Sequence, residues 1–86
     1  MQIKYARKFK KQYTKASVKI KKAFKSRRNL FLKNSHISIL NNHRLKGKFK
    51  GYRSINITGD WRAFYSKSKK NIIIFEILGT HSQLYK

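Results

Sequence analysis

The sequence predicts an α+β fold: a short N-terminal strand, then two helices packed on one face of a small, mainly antiparallel sheet whose other face is open. Three observations carry that expectation. Apolar residues recur at helical spacing over residues 6–33 and change to alternation from residue 52 onward. A polar, turn-rich stretch, 34–43, separates the two regimes. A chain of 86 residues, 40% of them apolar, fills one modest core, so residues 1–86 are expected to form a single domain.

The elements follow in order. Gln2–Tyr5 reads as a short opening strand. Ala6, Phe9, Tyr13 and Ala16, then Ile20, Ala23, Phe24 and Phe31, form an apolar stripe with lysine and arginine on the opposite face, which predicts helices over 7–15 and 18–32. Ser17, at the junction, is suited to cap the second helix. In YRSINIT, residues 52–58, Ile55 and Ile57 share one face while Tyr52, Ser54, Asn56 and Thr58 share the other. Gly59-Asp60 is a hairpin-turn pair. WRAFYSK, 61–67, gives a second strand, Ser68-Lys69-Lys70 a turn, and NIIIFEIL, 71–78, a third and more buried strand. Helices followed by an antiparallel run make a layered α+β structure.

Charge dominates the composition. Lysine and arginine number 23 against two acids, Asp60 and Glu76, for a formal net charge of +21. Such self-repulsion opposes compaction and calls for a polyanionic partner. The 14% aromatic content argues against disorder. With no cysteine there is no disulfide framework and no thiolate zinc site. The longest uninterrupted apolar run is Ile72–Phe75, far short of a membrane span, and the basic helical stripe is more simply a core contact than a membrane anchor. The basic N-terminus lacks a following apolar region, so no signal peptide is readable. The expectation is a soluble, cytoplasmic protein without a membrane partner.

The loop HRLKGKFKGYR, 43–53, interleaves cations with Phe49 and Tyr52. Lys46, Lys48 and Lys50 suit phosphate contacts, and aromatic rings can stack on unpaired bases. Two-metal nuclease chemistry needs a cluster of carboxylates, and this chain has only two. Metal-free RNA cleavage needs less. The substrate's own 2′-OH attacks the adjacent phosphate, provided that one group removes its proton, others stabilise the phosphorane charge, and another protonates the departing 5′-oxygen. Histidine suits the proton steps and arginine the phosphate. His43, Asp60, His81, Arg53 and Arg62 supply that set, with Trp61 and Tyr85 as stacking candidates. Alternation puts Arg62 with Phe64 on one strand face, Trp61 on the opposite face, and Arg53 with Ile55 and Ile57. His36 has no matching motif and no assigned role.

NHRLKGKFKGYRSINITGDWRAFY followed by IIIFEILGTHSQLY resembles the YafQ-like branch of the RelE/ParE superfamily of bacterial toxins, in the form HxLxGxxKGYRxxxxxxDW…GTHxxLY. The motifs cover 41–86; residues 1–40 match loosely, through the order strand, helix, helix. The resemblance implies a RelE-like fold and a ribosome-dependent messenger-RNA endonuclease that needs no metal or other cofactor and is held inactive by a small acidic antitoxin protein. It implies catalytic roles for His43, Asp60 and His81, with Trp61 as the aromatic neighbour of the aspartate and Tyr85 as the aromatic ending the last motif. One position departs: where YafQ has a second histidine in the strand after Gly-Tyr-Arg, this chain has Asn56, which can hydrogen-bond to RNA but cannot exchange a proton near neutral pH. Two other readings compete with the nuclease. One is a non-catalytic RNA- or ribosome-binding basic protein, and the other is a ParE-like inhibitor of DNA gyrase acting through protein contacts. Neither requires proton-transfer residues.

Overall fold

The computed structural model describes residues 1–85. The elements run β1 (Gln2–Tyr5), α1 (Arg7–Lys15), α2 (Val18–Lys33), β2 (His43–Arg44), β3 (Arg53–Asn56), β4 (Trp61–Lys67), β5 (Ile72–Thr80) and α3 (His81–Leu84), with single 3-10 turns at Ser38–Leu40 and Gly47–Phe49. The five strands form one sheet in the order β1-β5-β4-β3-β2. β1 pairs with β5 in parallel, and the other pairings are antiparallel. The expected α+β architecture is thus present.

The helical half forms for the reasons its spacing suggests. Ser17 caps α2, its hydroxyl accepting from the backbone N–H of Ile20 at 3.2 Å. Phe9, Phe24 and Phe31 face the sheet and meet Ile55, Ile57, Ala63, Tyr65, Ile73, Phe75 and Leu78 in one buried cluster. Its centre is aromatic: Phe9 lies 5.0 Å from Phe24, and Phe24 meets Phe75 edge-on at 5.1 Å. Each of these rings contributes roughly 1.5–3 kcal/mol on burial. That burial offsets the repulsion among cations on the outer faces.

β5 reaches its place in the core through a bulge. Ala63 pairs with Leu78 and Phe64 with Ile77, but Tyr65 pairs with Phe75, so Glu76 is the extra residue. Strict alternation would put Phe75 and Leu78 on opposite faces; the bulge puts both in the helix-side core and leaves Ile77 on the other side. The Glu76 carboxylate accepts a 2.6 Å hydrogen bond from the Ser66 hydroxyl at this irregularity.

The face away from the long helices carries a second, smaller cluster of Leu45, Phe64, Ile77 and Leu84, bordered by Phe49 and Tyr52. The loop over 45–52 and the single turn of α3 cover it. Gly79 permits the fold-back of α3, because a Cβ there would sit 3.2 Å from both the Gln83 side chain and Leu84. No helix among the described residues is long and apolar enough to cross a membrane.

Several boundaries differ from expectation. β3 stops at Asn56 rather than 58, because the hydroxyl of Thr58 accepts from the backbone of Asp60 and Trp61 and draws Thr58 into the turn. β5 extends through Gly79 and Thr80 to pair with Arg62 and Trp61. The two-residue β2 and the four-residue α3 were not expected; each is held by its neighbours rather than by its own periodicity.

Candidate active site

On the face opposite the long helices, the register lays side chains out in rows across the strands. His43, Ser54, Phe64 and Ile77 form one row, and Asn56, Arg62 and Gly79 form the next. The β3–β4 turn and the start of α3 lie beyond the second row. Asp60, Arg62, His81 and Tyr85 therefore gather at one corner of the sheet.

His81 is placed by three interactions. Its backbone N–H donates to the carbonyl oxygen of Asp60 at 2.8 Å, joining the end of β5 to the β3–β4 turn. Thr80 and Gln83 form a capping box: the Thr80 hydroxyl accepts from the Gln83 N–H at 3.2 Å, and the Gln83 side chain accepts from the Thr80 N–H at 2.9 Å. One turn on, the ring of Tyr85 lies 4.5 Å from that of His81, and Tyr85 meets the buried ring of Phe64 edge-on at 5.7 Å. The His81 ring is exposed to solvent, with Tyr85 supporting it from the sheet.

Arg62 fastens the turn that carries Asp60. Its Nη1 donates to the carbonyls of Thr58 at 3.0 Å, Gly59 at 3.2 Å and Trp61 at 3.1 Å. The Asp60 carboxylate is exposed and has no hydrogen-bond or ion-pair partner among the described residues. In the same row as Arg62, the Asn56 Oδ1 is buried without a hydrogen-bond partner, as is the hydroxyl of Ser54 in the adjacent row. Buried polar atoms in that state cost stability.

His43 stands on the edge strand β2, exposed, with its ring Nδ1 2.8 Å from the carbonyl oxygen of Asn41. It lies three strand spacings from β5, about 14 Å at ~4.8 Å per step. Lys46, Lys48 and Lys50 are exposed along the loop that covers the second cluster, with the Lys48 ammonium 5.1 Å from the centre of the Phe49 ring. This loop carries its three lysines over the same sheet face as the His81 corner. Among the described residues no group of three His, Cys, Asp or Glu side chains could hold a metal ion.

Two sequence candidates belong to the other face. Arg53 sits in a row with Tyr65, and its Nε donates to the Asn42 Oδ1 at 2.7 Å; it points toward the helices, as its alternation with Ile55 indicates. Trp61 pairs with Thr80 and packs, partly buried, against the helix-side core, and it also lines a groove shared with Lys48, Phe49, Gln83 and Leu84. Sequence reasoning missed the Asn42 side chain, which links Arg53, Tyr65 and Ser35. It also missed α3, although Thr80-His-Ser-Gln83 carries the spacing of a capping box.

Comparison with known proteins agrees with this architecture. Residues 1–86 match the family model described as "Bacterial toxin of type II toxin-antitoxin system, YafQ". The crystal structure of YafQ from E. coli is 25% identical, with a TM-score of 0.83 over 99% of this chain and 98% of that one. YafQ in the E. coli DinJ–YafQ complex is similar at 25% identity and a TM-score of 0.74, with coverage of 99% and 98%. The YoeB/ParE toxin from Agrobacterium tumefaciens shares the fold at 15% identity and a TM-score of 0.77, with coverage of 94% and 99%. None of the curated proteins matches the chain in sequence. With a whole-length family match resting on this fold, the chain belongs to the YafQ family of bacterial toxins of type II toxin–antitoxin systems.

Proposed function

We propose that this toxin is a ribosome-dependent messenger-RNA endonuclease that cleaves by acid–base chemistry without a metal. The observation that supports it most is the corner where the backbones of Asp60 and His81, both with exposed side chains, are joined by a 2.8 Å hydrogen bond. A backbone tie between two proton-transfer residue types, on a face that also carries Arg62 and the lysines of the 45–52 loop, suits chemistry at a phosphodiester.

In the proposed reaction His43 accepts the proton of the 2′-OH, and the 2′-oxygen forms a new bond to phosphorus. The bond from phosphorus to the 5′-oxygen breaks, and His81 donates a proton to that departing oxygen. The products are a 2′,3′-cyclic phosphate and a free 5′-OH. Asp60, on the turn bonded to the His81 backbone, places a hydrogen-bond acceptor for the RNA at the same corner. The two histidines flank the Asn56–Arg62 row, so a phosphate held over that row is approached from both sides. Arg62 offers it the guanidinium nitrogens not engaged by the turn, Asn56 a hydrogen bond, and Lys46, Lys48 and Lys50 guide the backbone. Tyr85 supplies the stacking surface. Arg53 and Trp61, on the other face, act by holding the scaffold.

The partner of the toxin in this reading is a small acidic antitoxin, as DinJ accompanies YafQ in the E. coli complex. A groove of about 410 Å³ between α1 and α2, lined by Tyr5, Phe9, Tyr13 and Phe24 and rimmed by Lys10, Lys25 and Arg28, suits an acidic amphipathic helix. Ribosomal RNA is the polyanion that the +21 charge serves. The test is to mix purified toxin with translating ribosomes and map the messenger. Cuts with 2′,3′-cyclic phosphate ends support the nuclease; tight binding with an intact messenger supports the non-catalytic RNA-binding reading.

A further inference from the structure

We propose that Asn41 and Asn42 are positioning residues that fix the tautomer and direction of the His43 ring, leaving Nε2 as its bare, proton-accepting nitrogen. The key contact is the 2.8 Å approach of His43 Nδ1 to the Asn41 carbonyl oxygen. A carbonyl oxygen has no proton to give, so this bond forms only when Nδ1 carries the hydrogen. A neutral imidazole has one N–H, and Nε2 is then the nitrogen with the free lone pair. A histidine side chain free in water prefers the opposite form, with the hydrogen on Nε2. The contact therefore selects the less common tautomer.

The backbone is shaped for that contact. Asn41 lies in the left-handed region, at φ 45° and ψ 49°, and closes the Ser38–Leu40 turn with a 3.0 Å bond from its N–H to the Ser38 carbonyl. A left-handed residue reverses the chain locally and turns its own carbonyl toward the ring two positions later. Asparagine adopts this conformation more readily than most residues with a Cβ.

Asn42 bolts the same segment to the core. Its Nδ2 donates to the Ser35 carbonyl at 2.8 Å and to the Tyr65 hydroxyl at 2.7 Å, while its Oδ1 accepts from Arg53 Nε at 2.7 Å. Arginine can only donate and a backbone carbonyl can only accept, so these partners also settle which end of the amide is oxygen. Tyr65 is 3% exposed, within the main core. An exposed ring on a two-residue edge strand would otherwise sample several rotamers, and ordering it at the moment of reaction would slow the step. The anchor on one face thus holds the ring steady on the other. It also gives Arg53 a function: it completes the hydrogen bonding of Asn42.

The catalytic significance rests on the proposed role of His43 in proton transfer, but the tautomer is measurable without RNA. The experiment is long-range ¹H–¹⁵N NMR of the full chain with labelled histidine, above the titration range of the ring, with the His43 signals assigned by loss in His43→Gln. The expected result is a protonated Nδ1 and a bare Nε2 for His43. Asn41→Gly, which accepts a positive φ freely, keeps that signature; Asn41→Val, β-branched and strained there, moves His43 toward the Nε2–H form. In the cleavage assay Asn41→Val slows the reaction by roughly tenfold or more, the scale on which misplacing a reacting group acts, while the glycine variant recovers most of the rate. An Nε2–H tautomer in the parent, or an unchanged tautomer in folded Asn41→Val, overturns the inference. The expected NMR result in a protein that cuts no messenger would leave the positioning intact and remove the nuclease.

Discussion

The backbone N–H of His81 donates to the carbonyl oxygen of Asp60 at 2.8 Å, so the residue that opens α3 is held against the turn between β3 and β4. Two segments 21 positions apart in sequence are thereby locked at one corner of the sheet, and anything that loosens α3 moves His81 away from Asp60.

Gly79→Ala tests the fold-back of α3. The added Cβ meets Leu84 and the Gln83 side chain at 3.2 Å, and the atoms of Leu84 belong to the second cluster. Overpacking of this kind costs about 1–3 kcal/mol. A lower urea midpoint with an unchanged slope is the expected result, accompanied by slower messenger cleavage. A variant as stable and as active as the parent would show that α3 moves aside freely.

Tyr85→Ala removes the ring that separates His81 from Phe64. Tyr85 is 40% exposed and adds little to the core, so the melting temperature should change by only a few degrees. Cleavage should fall more sharply, through loss of a base-stacking surface worth about 1–3 kcal/mol. Tyr85→Phe, which keeps the ring, should restore the rate; a rate as low as that of the alanine variant would assign the effect to the hydroxyl instead.

Asn56→His should maintain or raise activity. Asn56 shares its row with Arg62, and its Oδ1 is buried without a partner. An imidazole there adds a proton-transfer group on the proposed phosphate site. Normal folding with lost cleavage would show that the amide holds the RNA itself.

Ribosome association should depend far more on salt than the chemical step does. A surface making about 6–10 phosphate contacts loses roughly 10³–10⁵ in affinity between 50 and 200 mM salt through counterion release. Equilibrium binding to intact ribosomes over that range checks this, and a flat curve would leave the +21 charge without its proposed partner.

Much of this was legible in the sequence because two periods decide it. Helical spacing placed Phe9, Phe24 and Phe31 on the buried stripe, and alternation separated Arg62 from Trp61 and Arg53 from Asn56. The bulge at Glu76 was not legible. It breaks the alternation and sends Leu78 into the helix-side core, an outcome set by packing across strands. β2 is two residues long and has no period of its own, so the place of His43 on a sheet edge emerged only from its pairing with Ser54. The hydrogen bonds of Asn42 join residues 7 to 23 positions apart, a scale on which local patterns carry no signal.

The most direct measurement compares the parent and His81→Ala on translating ribosomes, with messenger ends mapped by their chemistry and ribosome binding measured in parallel. The parent should leave 2′,3′-cyclic phosphate ends. The variant should bind and fold like the parent but cut about 10²–10⁴-fold more slowly, the usual contribution of a positioned proton-transfer group. Cleavage by folded His81→Ala at more than half the parent rate would contradict a catalytic corner built from His81 and Asp60.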